Sequence, residues 1–120
     1  MAADQPKPEF VYRLAVRAEW AEAQKTGRVP LREIDQEDGY VHLSTRDQLL
    51  ETAKLHFAGA RDLLALEIPL AGIESQVRFE LAPKRGEEFP HLYAPLEITS
   101  VKRALALVRI DDGFAIGDAI

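Results

Sequence analysis

The chain has 120 residues, a formal net charge of −5, and 47% hydrophobic and 29% charged residues, a composition typical of one globular domain. It contains no cysteine, which excludes a disulfide framework, a thiol nucleophile and a thiolate metal site. The acidic charge argues against a dedicated nucleic-acid surface, and the apolar runs are too short to cross a bilayer. We therefore expect a cytoplasmic single-domain protein without a membrane segment.

The two ends of the chain differ from its middle. Residues 1–9 are polar and lack the basic start and apolar core of a signal peptide, which predicts a disordered N-terminal tail. No repeat, low-complexity tract or linker divides residues 10–114, which we expect to form the single domain. A turn at Asp111-Asp112-Gly113 then predicts a short C-terminal tail, residues 115–120.

The first strand is predicted over Phe10–Val16, where Arg13 has small apolar neighbours on its own face. Its guanidinium either faces a cleft, where it can grip a phosphate or carboxylate, or lies at an edge in water. A short helix should follow over Ala18–Thr26, with Trp20 as a core anchor. Residues 28–37 have no clean period, so we expect a loop there.

The stretch Asp38–Thr45 combines a turn, a strand and the start of a helix. Asp followed by Gly is a strong turn signal, because Gly accepts positive φ and Asp bonds its own backbone. The period of two in the next residues places three polar side chains on one face: Tyr40, His42 and Ser44. An imidazole and a hydroxyl therefore project side by side next to a turn, which indicates a site.

Thr45 opens the pattern Thr-x-x-Gln, which predicts a capping box at the start of a helix over about Arg46–Phe57. The same pattern is compatible with a purely structural role, in which Ser44 and Thr45 cap the helix and bond loop backbone. His56 lies on or beside the apolar stripe of this helix, where a histidine is more often a core residue than a ligand. We do not include His56 in the predicted site.

The second half of the chain predicts mainly strands. Residues 63–68 form a continuous apolar run, as in a buried central strand. The segment Gln76–Leu81 alternates strictly and places Arg78 and Glu80 together on its outer face. Ala82–Glu88 is polar and contains Pro and Gly, so we expect a loop that can act as a flap.

A short extended piece between two prolines puts His91 and Tyr93 on one face, which copies the arrangement around His42. A last long strand is predicted over Ile98–Ile110, with a bend or bulge near Ser100 where the alternation slips. The sequence thus contains two histidine motifs beside turns, on separate strands.

Two other types of chemistry are weaker candidates. Histidines from separate strands can bind zinc with a carboxylate as third ligand, but the spacing does not select for it, and we expect no metal. His42 and Ser44 point the same way on a strand, yet the imidazole is not aimed at the hydroxyl as a Ser-His-acid nucleophile requires. The motifs of Rossmann and P-loop nucleotide sites are absent from the chain.

Three blocks of the sequence, Asp38–Thr45, Val77–Glu80 and Phe89–Tyr93, resemble the signature blocks of domain-of-unknown-function family 952. The likeness covers about residues 10–114. This bacterial family is similar in fold to ADP-ribosyltransferases. The resemblance therefore implies an α+β domain with a mainly antiparallel split β-sheet, flanking helices and a cleft for NAD.

The resemblance also implies roles for residues. In transferases of that fold, a first-strand Arg or His, a second-strand Ser-Thr or aromatic motif and a later-strand Glu form the site. Arg13 matches the first position and residues 42–45 match the second, while either Glu80 or the His91–Tyr93 block matches the third. The third position decides catalysis, because an anionic carboxylate stabilises the oxocarbenium-like transition state of nicotinamide loss.

The resulting hypothesis is a cleft that binds NAD, or a related nucleotide, as a substrate and transfers or hydrolyses its ADP-ribose group. The alternative is a non-catalytic module that binds a small anionic metabolite or a protein partner through the same cleft. The catalytic candidates are His42, His91 and Glu80, and the substrate-binding candidates are Arg13, Ser44, Thr45, Arg78 and Tyr93.

By that analogy, each ligand group has an expected partner. Arg13 would hold phosphate, and His42 and Ser44 would contact the ribose. Tyr93 would stack on the nicotinamide, and His91 would act as acid or base.

Overall fold

The computed structural model describes residues 7–120, and the predicted tail over residues 1–9 lies outside the described residues as far as position 6. The last residues of that predicted tail contact the domain. The backbone N–H of Leu70 donates to the carbonyl of Glu9 over 2.9 Å, and Lys7 pairs with Glu74. Among residues 7–120, no helix is long and apolar enough to span a bilayer.

Within the described part of the chain, seven strands and three α-helices follow one another as an α+β arrangement. The strands are β1 (Phe10–Val16), β2 (Val41–His42), β3 (Leu63–Pro69), β4 (Val77–Ala82), β5 (Glu87–Leu92), β6 (Arg103–Ile110) and β7 (Gly113–Ala119). The helices are α1 (Arg17–Thr26), α2 (Glu33–Asp38) and α3 (Arg46–His56). Single 3₁₀ turns lie at Leu70–Gly72, Glu74–Gln76 and Ile98–Ser100.

The strands form two antiparallel sheets, one in the order β1-β3-β6-β7 and the other in the order β2-β5-β4. A bridge just after β2 links them. The N–H of Tyr12 donates to the carbonyl of Ser44, and the N–H of Ser44 donates back to the carbonyl of Tyr12, each over 2.8 Å. The predicted α+β class with antiparallel sheets is confirmed, and the bridge fixes how the two sheets meet.

Strand β3 is the centre of the core, as its continuous apolar run predicts. Its side chains are buried on both faces of the large sheet, in two separate apolar clusters. One cluster contains Leu64, Leu66 and Ile68 together with residues of β1, β2 and β5. The other contains Leu63 and Ala65 together with residues of β1, α3, β6 and β7. Each fully buried Leu or Ile contributes about 1.5–3 kcal/mol of transfer free energy, so this strand holds both layers together.

A buried carboxylate lies within this apolar strand. Glu67 accepts a hydrogen bond from the hydroxyl of Tyr12 over 2.8 Å and another from Nε of Arg103 over 2.7 Å. Burial alone would raise the pKa of Glu67, but the hydrogen bonds from Arg103 and Tyr12 and the charge of Arg103 outweigh it and lower that pKa. The carboxylate is therefore ionised and fully partnered, and it ties β3 to both neighbouring strands.

Local interactions explain where helix α3 begins and where helix α2 ends. The side chain of Gln48 accepts the N–H of Thr45 over 3.1 Å, which is one half of the predicted capping box at α3. Helix α2 ends at Gly39, whose φ of 84° lies in the left-handed region that glycine adopts without strain. This reversal sends the chain directly into β2.

Two predicted irregular segments are wrong. The predicted loop over residues 28–37 contains most of α2, which begins where the carboxylate of Asp35 accepts the N–H of Arg32 over 2.7 Å. The predicted C-terminal tail from residue 115 is instead part of β7, which pairs with β6. Neither feature has a sequence signal, because the first is capped without a Ser or Thr and the second depends on a distant partner strand.

Two further predictions need adjustment. The predicted flap over Ala82–Glu88 is a tight hairpin turn, because the N–H of Gly86 donates to the carbonyl of Ala82 over 2.9 Å and β5 begins at Glu87. The predicted strand over Ile98–Ile110 is broken near Ser100, as the slip in its alternation indicates, and β6 begins only at Arg103. The hairpin keeps β4 and β5 in register up to the histidine motif.

Candidate functional site

The two histidine motifs meet in the small sheet. Strands β2 and β5 are antiparallel, with His42 and His91 as direct cross-strand partners, and Arg78 of β4 is the partner of His91 on its other side. The rings of the two histidines are 5.8 Å apart between centroids. Because residues that are paired across antiparallel strands lie on the same face of a sheet, both imidazoles lie on one face of the small sheet.

The first acid–histidine pair consists of Asp35 and His42. Ring atom Nδ1 of His42 lies 2.7 Å from Oδ1 of Asp35, and the backbone N–H of His42 donates to the same oxygen over 3.1 Å. Arg13 grips both carboxylate oxygens of Asp35, over 3.0 Å from Nη1 and 2.6 Å from Nη2, and Nη1 also donates to the carbonyl of His42 over 3.2 Å. The ring and the backbone of His42 and the guanidinium of Arg13 thus all contact Asp35, which fixes this pair within the fold.

Asp35 is an ionised carboxylate at the centre of these contacts. Burial would raise its pKa, but hydrogen bonds from His42, Arg13 and the backbone of Arg32, together with the charge of Arg13, hold the pKa of Asp35 well below its usual range. Arg13 is only 4% exposed, so the alternative of a solvated Arg13 is wrong. Both terminal nitrogens of Arg13 donate to Asp35. Arg13 therefore holds Asp35 in position in place of making the expected phosphate contact.

The other nitrogen of His42 also faces a carboxylate. Nε2 lies 2.9 Å from Oδ2 of Asp38, the last residue of α2. The side chain of His42 is 30% exposed and that of Asp38 is 41% exposed, whereas the side chain of Asp35 is fully buried. The ring thus has one buried neighbour and one neighbour in contact with solvent.

The second acid–histidine pair consists of Glu80 and His91. Oε1 of Glu80 lies 2.8 Å from Nδ1 of His91 and accepts the hydroxyl of Tyr93 over 2.6 Å. The hydrogen bonds from Tyr93 and His91 lower the pKa of Glu80, and the bond to Glu80 raises the pKa of Tyr93. The side chain of His91 is 7% exposed and that of Glu80 is 37% exposed, so an anionic carboxylate lies at the surface above a buried imidazole.

Tyr40 lies between the two pairs. Its ring stacks on His91 at 3.9 Å between centroids, with 19° between the planes, and lies 4.6 Å from His42 and 5.3 Å from Tyr93. Burial and the nearby charges of Asp38 and Glu80 raise the pKa of Tyr40. The four rings form one aromatic cluster, which we define as Tyr40, His42, His91 and Tyr93.

A groove of about 800 Å³ runs beside this cluster. Tyr40, Tyr93 and Asp35 contribute to its wall, whereas the two imidazoles are not part of its lining. Most of the remaining wall is apolar or made of loop residues: Val29, Pro30, Leu31, Gly39, Val41, Ala94 and Pro95. A ligand at the histidines can therefore extend over the tyrosines onto an apolar surface.

The structure brings most of the predicted site residues together, but not all. Glu80 is hydrogen-bonded to His91 and Tyr93, and the ring of His42 lies 5.8 Å from that of His91. Arg78 lies with its guanidinium 5.1 Å from the ring of Tyr93. Two others have positions that suit the structural alternative: Ser44 is buried and pairs through its backbone with Tyr12, and Thr45 caps α3.

Three residues of the site were not predicted to belong to it: Asp35, Asp38 and Tyr40. The alternation that singles out His42 also places Tyr40 on the same face, so a signal for Tyr40 was present. His56, the histidine predicted to lie on or beside an apolar face, is exposed on α3. Within residues 7–120, no three His, Asp or Glu side chains are grouped as ligands of one metal ion.

All three sequence blocks lie within a region of the chain that matches a known protein family. The profile of the family described as "Protein of unknown function (DUF952)" matches residues 14–104. The chain belongs to this family. The matched range includes every residue of the aromatic cluster and the three acids that contact its histidines.

Solved structures extend the likeness to the whole domain. The crystal structure of protein CC0527 from Caulobacter crescentus is 34% identical, covers 88% of this chain and 91% of its own chain, and superposes with a TM-score of 0.80. A solution NMR structure of CC0527 gives a TM-score of 0.77 at the same identity, over 88% of this chain and 90% of that one. No curated protein matches the chain at a significant level.

Proposed function

We propose that the aromatic cluster and the groove beside it form a cleft that binds NAD, or a related nucleotide with a cationic base on ribose. In this cleft the base is released by hydrolysis or transfer of the ADP-ribose group. The observation that carries this proposal is the exposed, anionic carboxylate of Glu80 held 2.8 Å from Nδ1 of His91 beside aromatic rings. Loss of a cationic base leaves positive charge on the ribose, which such a carboxylate stabilises.

A fold of the ADP-ribosyltransferase type is part of the same proposal. Two antiparallel sheets linked by the backbone bridge between Tyr12 and Ser44 are compatible with a split sheet, and the groove lies beside the face of the small sheet that carries the histidines. In that comparison, Glu80 takes the place of the later-strand glutamate.

The chemical roles follow from exposure and contacts. The bond from ribose C1′ to the base nitrogen breaks, with its electron pair leaving on the base. An oxygen of water or of an acceptor forms the new bond and gives up a proton. Nε2 of His91 takes that proton, because Nδ1 is hydrogen-bonded to Glu80 and no side chain among residues 7–120 is hydrogen-bonded to Nε2. Tyr93 stacks on the base, and Glu80 stabilises the charge on the ribose.

The phosphate groups need a cation that is free to meet them. Arg13 is committed to Asp35, so we assign this role to Arg78, which is exposed and lies 5.1 Å from the ring of Tyr93. A guanidinium binds phosphate oxygens through two parallel N–H donors. Arg78 is in this way the substrate-binding arginine of the proposal.

The test combines binding with turnover. Thermal unfolding is measured with and without NAD and ADP-ribose, because a ligand at about 100 times its dissociation constant adds roughly 2.7 kcal/mol, or several degrees in a domain of this size. Arg78→Gln should abolish the shift, and Arg61→Gln, an exposed arginine on the approach to β3, should retain it. Nicotinamide release is then followed by chromatography. No shift with either nucleotide would refute the proposal.

The apolar groove favours a second candidate function, a module that binds the same class of anionic nucleotide without catalysis. Its wall includes Val29, Pro30 and the half-exposed Leu31, which offer contact area and no acid or base. In that case ADP-ribose shifts the unfolding midpoint, while NAD stays intact on long incubation.

A further inference from the structure

The ring of His42 lies between two carboxylates. Nδ1 is 2.7 Å from Oδ1 of Asp35, and Nε2 is 2.9 Å from Oδ2 of Asp38. Carboxylate oxygens only accept hydrogen bonds, so this arrangement is satisfied when both ring nitrogens carry a proton and the imidazole is cationic. Such a ring needs one negative charge to balance it.

Asp38 is the carboxylate that provides this balance. The charge of Asp35 is already matched by Arg13, which binds both of its oxygens. Asp38, by contrast, has no polar partner besides His42 within residues 7–120. It is 41% exposed, ends α2 and is followed by Gly39 in the left-handed conformation, so its side chain can leave the ring without breaking another hydrogen bond.

We propose that the Asp38 carboxylate occupies the place of a ligand phosphate, so that an incoming phosphate oxygen displaces it and accepts the Nε2–H of His42. Departure of Asp38 leaves an unbalanced cation on a ring that Asp35 and Arg13 keep in position. The proposal rests on the proposed function, which gives the ligand its phosphate groups. His42 and Arg78 then serve as the two phosphate contacts of the cleft, in place of the ribose contact expected for His42.

The experiment compares Asp38→Asn with Glu37→Gln by isothermal titration of ADP-ribose, inorganic phosphate and the uncharged nucleoside adenosine. Glu37 is the exposed neighbour on α2, so both variants remove one negative charge from the same helix, and only one loses the carboxylate at His42. We expect Asp38→Asn to bind ADP-ribose about tenfold more tightly. Glu37→Gln should change it less than about twofold, and adenosine should be unaffected in both.

A second variant locates the effect at the ring. In the His42→Gln background, Asp38→Asn should give no gain, because the cation that attracts phosphate is gone. An equal gain in Glu37→Gln and Asp38→Asn would overturn the proposal, since it would show a general effect of net charge.

The outcomes separate this proposal from the proposed function. If ADP-ribose binds the natural protein and Asp38→Asn binds it no more tightly, only the displacement is wrong. If ADP-ribose fails to bind but inorganic phosphate binds Asp38→Asn selectively, the displacement stands and the nucleotide proposal falls. If neither probe binds any of the variants, both are wrong.

Discussion

The two acid–histidine pairs of the small sheet use the same chemical groups in opposite positions. In the first pair the acid, Asp35, is buried and its histidine, His42, is partly exposed; in the second the histidine, His91, is buried and its acid, Glu80, is exposed. A buried acid with a buried Arg is part of the framework, whereas an exposed anion above a buried imidazole can meet a ligand. The same residue types therefore occur in two different arrangements, and burial distinguishes the two.

The largest expected effect is a difference in stability between variants that lack Asp35 and variants that lack Glu80. Asp35→Ala should lower the free energy of unfolding by about 3–5 kcal/mol, because it leaves the buried Arg13 without its counter-charge. Urea denaturation followed by circular dichroism measures this loss. Glu80→Ala is the matched control, as it also removes one carboxylate from a histidine, and it should change stability little. Equal losses for the two variants would show that the pairs do not differ in this way.

The second effect separates them by activity. Glu80→Gln should reduce nicotinamide release about 100-fold, the scale of losing one electrostatic contact to the transition state, while the unfolding midpoint stays the same. Glu51→Gln, an exposed acid on α3, is the control with an equal change of charge. Release at the natural rate by Glu80→Gln would remove Glu80 from the proposed mechanism.

The third effect is the response of stability to acid. The pKa values of Asp35 and Glu67 are lowered in the folded protein. Below a pH of about 4 these two carboxylates therefore bind protons in the unfolded chain but remain ionised in the folded one. The stability that these carboxylates contribute is present above that pH and is lost as the pH falls through their folded pKa values. Unfolding midpoints measured from about pH 5 downwards should fall, and Asp35→Asn should give a shallower slope. Parallel slopes would contradict an ionised Asp35.

The smallest effect concerns the ring that both pairs share. Tyr40→Leu should cost about 0.5–1.5 kcal/mol through loss of the stacking on His91. Tyr40→Phe keeps the ring, and the Tyr40 hydroxyl has no hydrogen-bond partner in the described residues, so this variant should retain full stability in the same thermal unfolding series. A large loss in Tyr40→Phe would point to a polar role for the hydroxyl.

The period of two was sufficient to predict much of this site. It places His42, His91 and Tyr93 on comparable faces and Glu80 beside Arg78, because the side chains of a half-buried strand alternate whatever its partner strand is. It also predicted β3 as a buried strand from its continuous apolar run. These features depend on neighbours along the chain, which the sequence contains.

The features that the sequence does not predict depend on partners that are distant in the chain. Asp35 joins the site only because a six-residue helix, begun by its own carboxylate on the Arg32 backbone, carries it to Arg13 on β1. Strand β7 has the weakly alternating sequence Gly-Phe-Ala-Ile-Gly-Asp-Ala and exists as a partner of β6. The ion pair between Arg13 and Asp35 has no sequence signal either, because the two residues are 22 positions apart.

Strand β1 has polar contacts on both of its faces, with Tyr12 bound to Glu67 on one side and Arg13 bound to Asp35 on the other. A shift of the strand by one position would exchange the two faces, which would take the Tyr12 hydroxyl away from Glu67 and the Arg13 guanidinium away from Asp35. The incorrect alignment is thus penalised at two places at once. These contacts favour one alignment of β1 with β3, and in that alignment Arg13 holds Asp35, which in turn contacts His42.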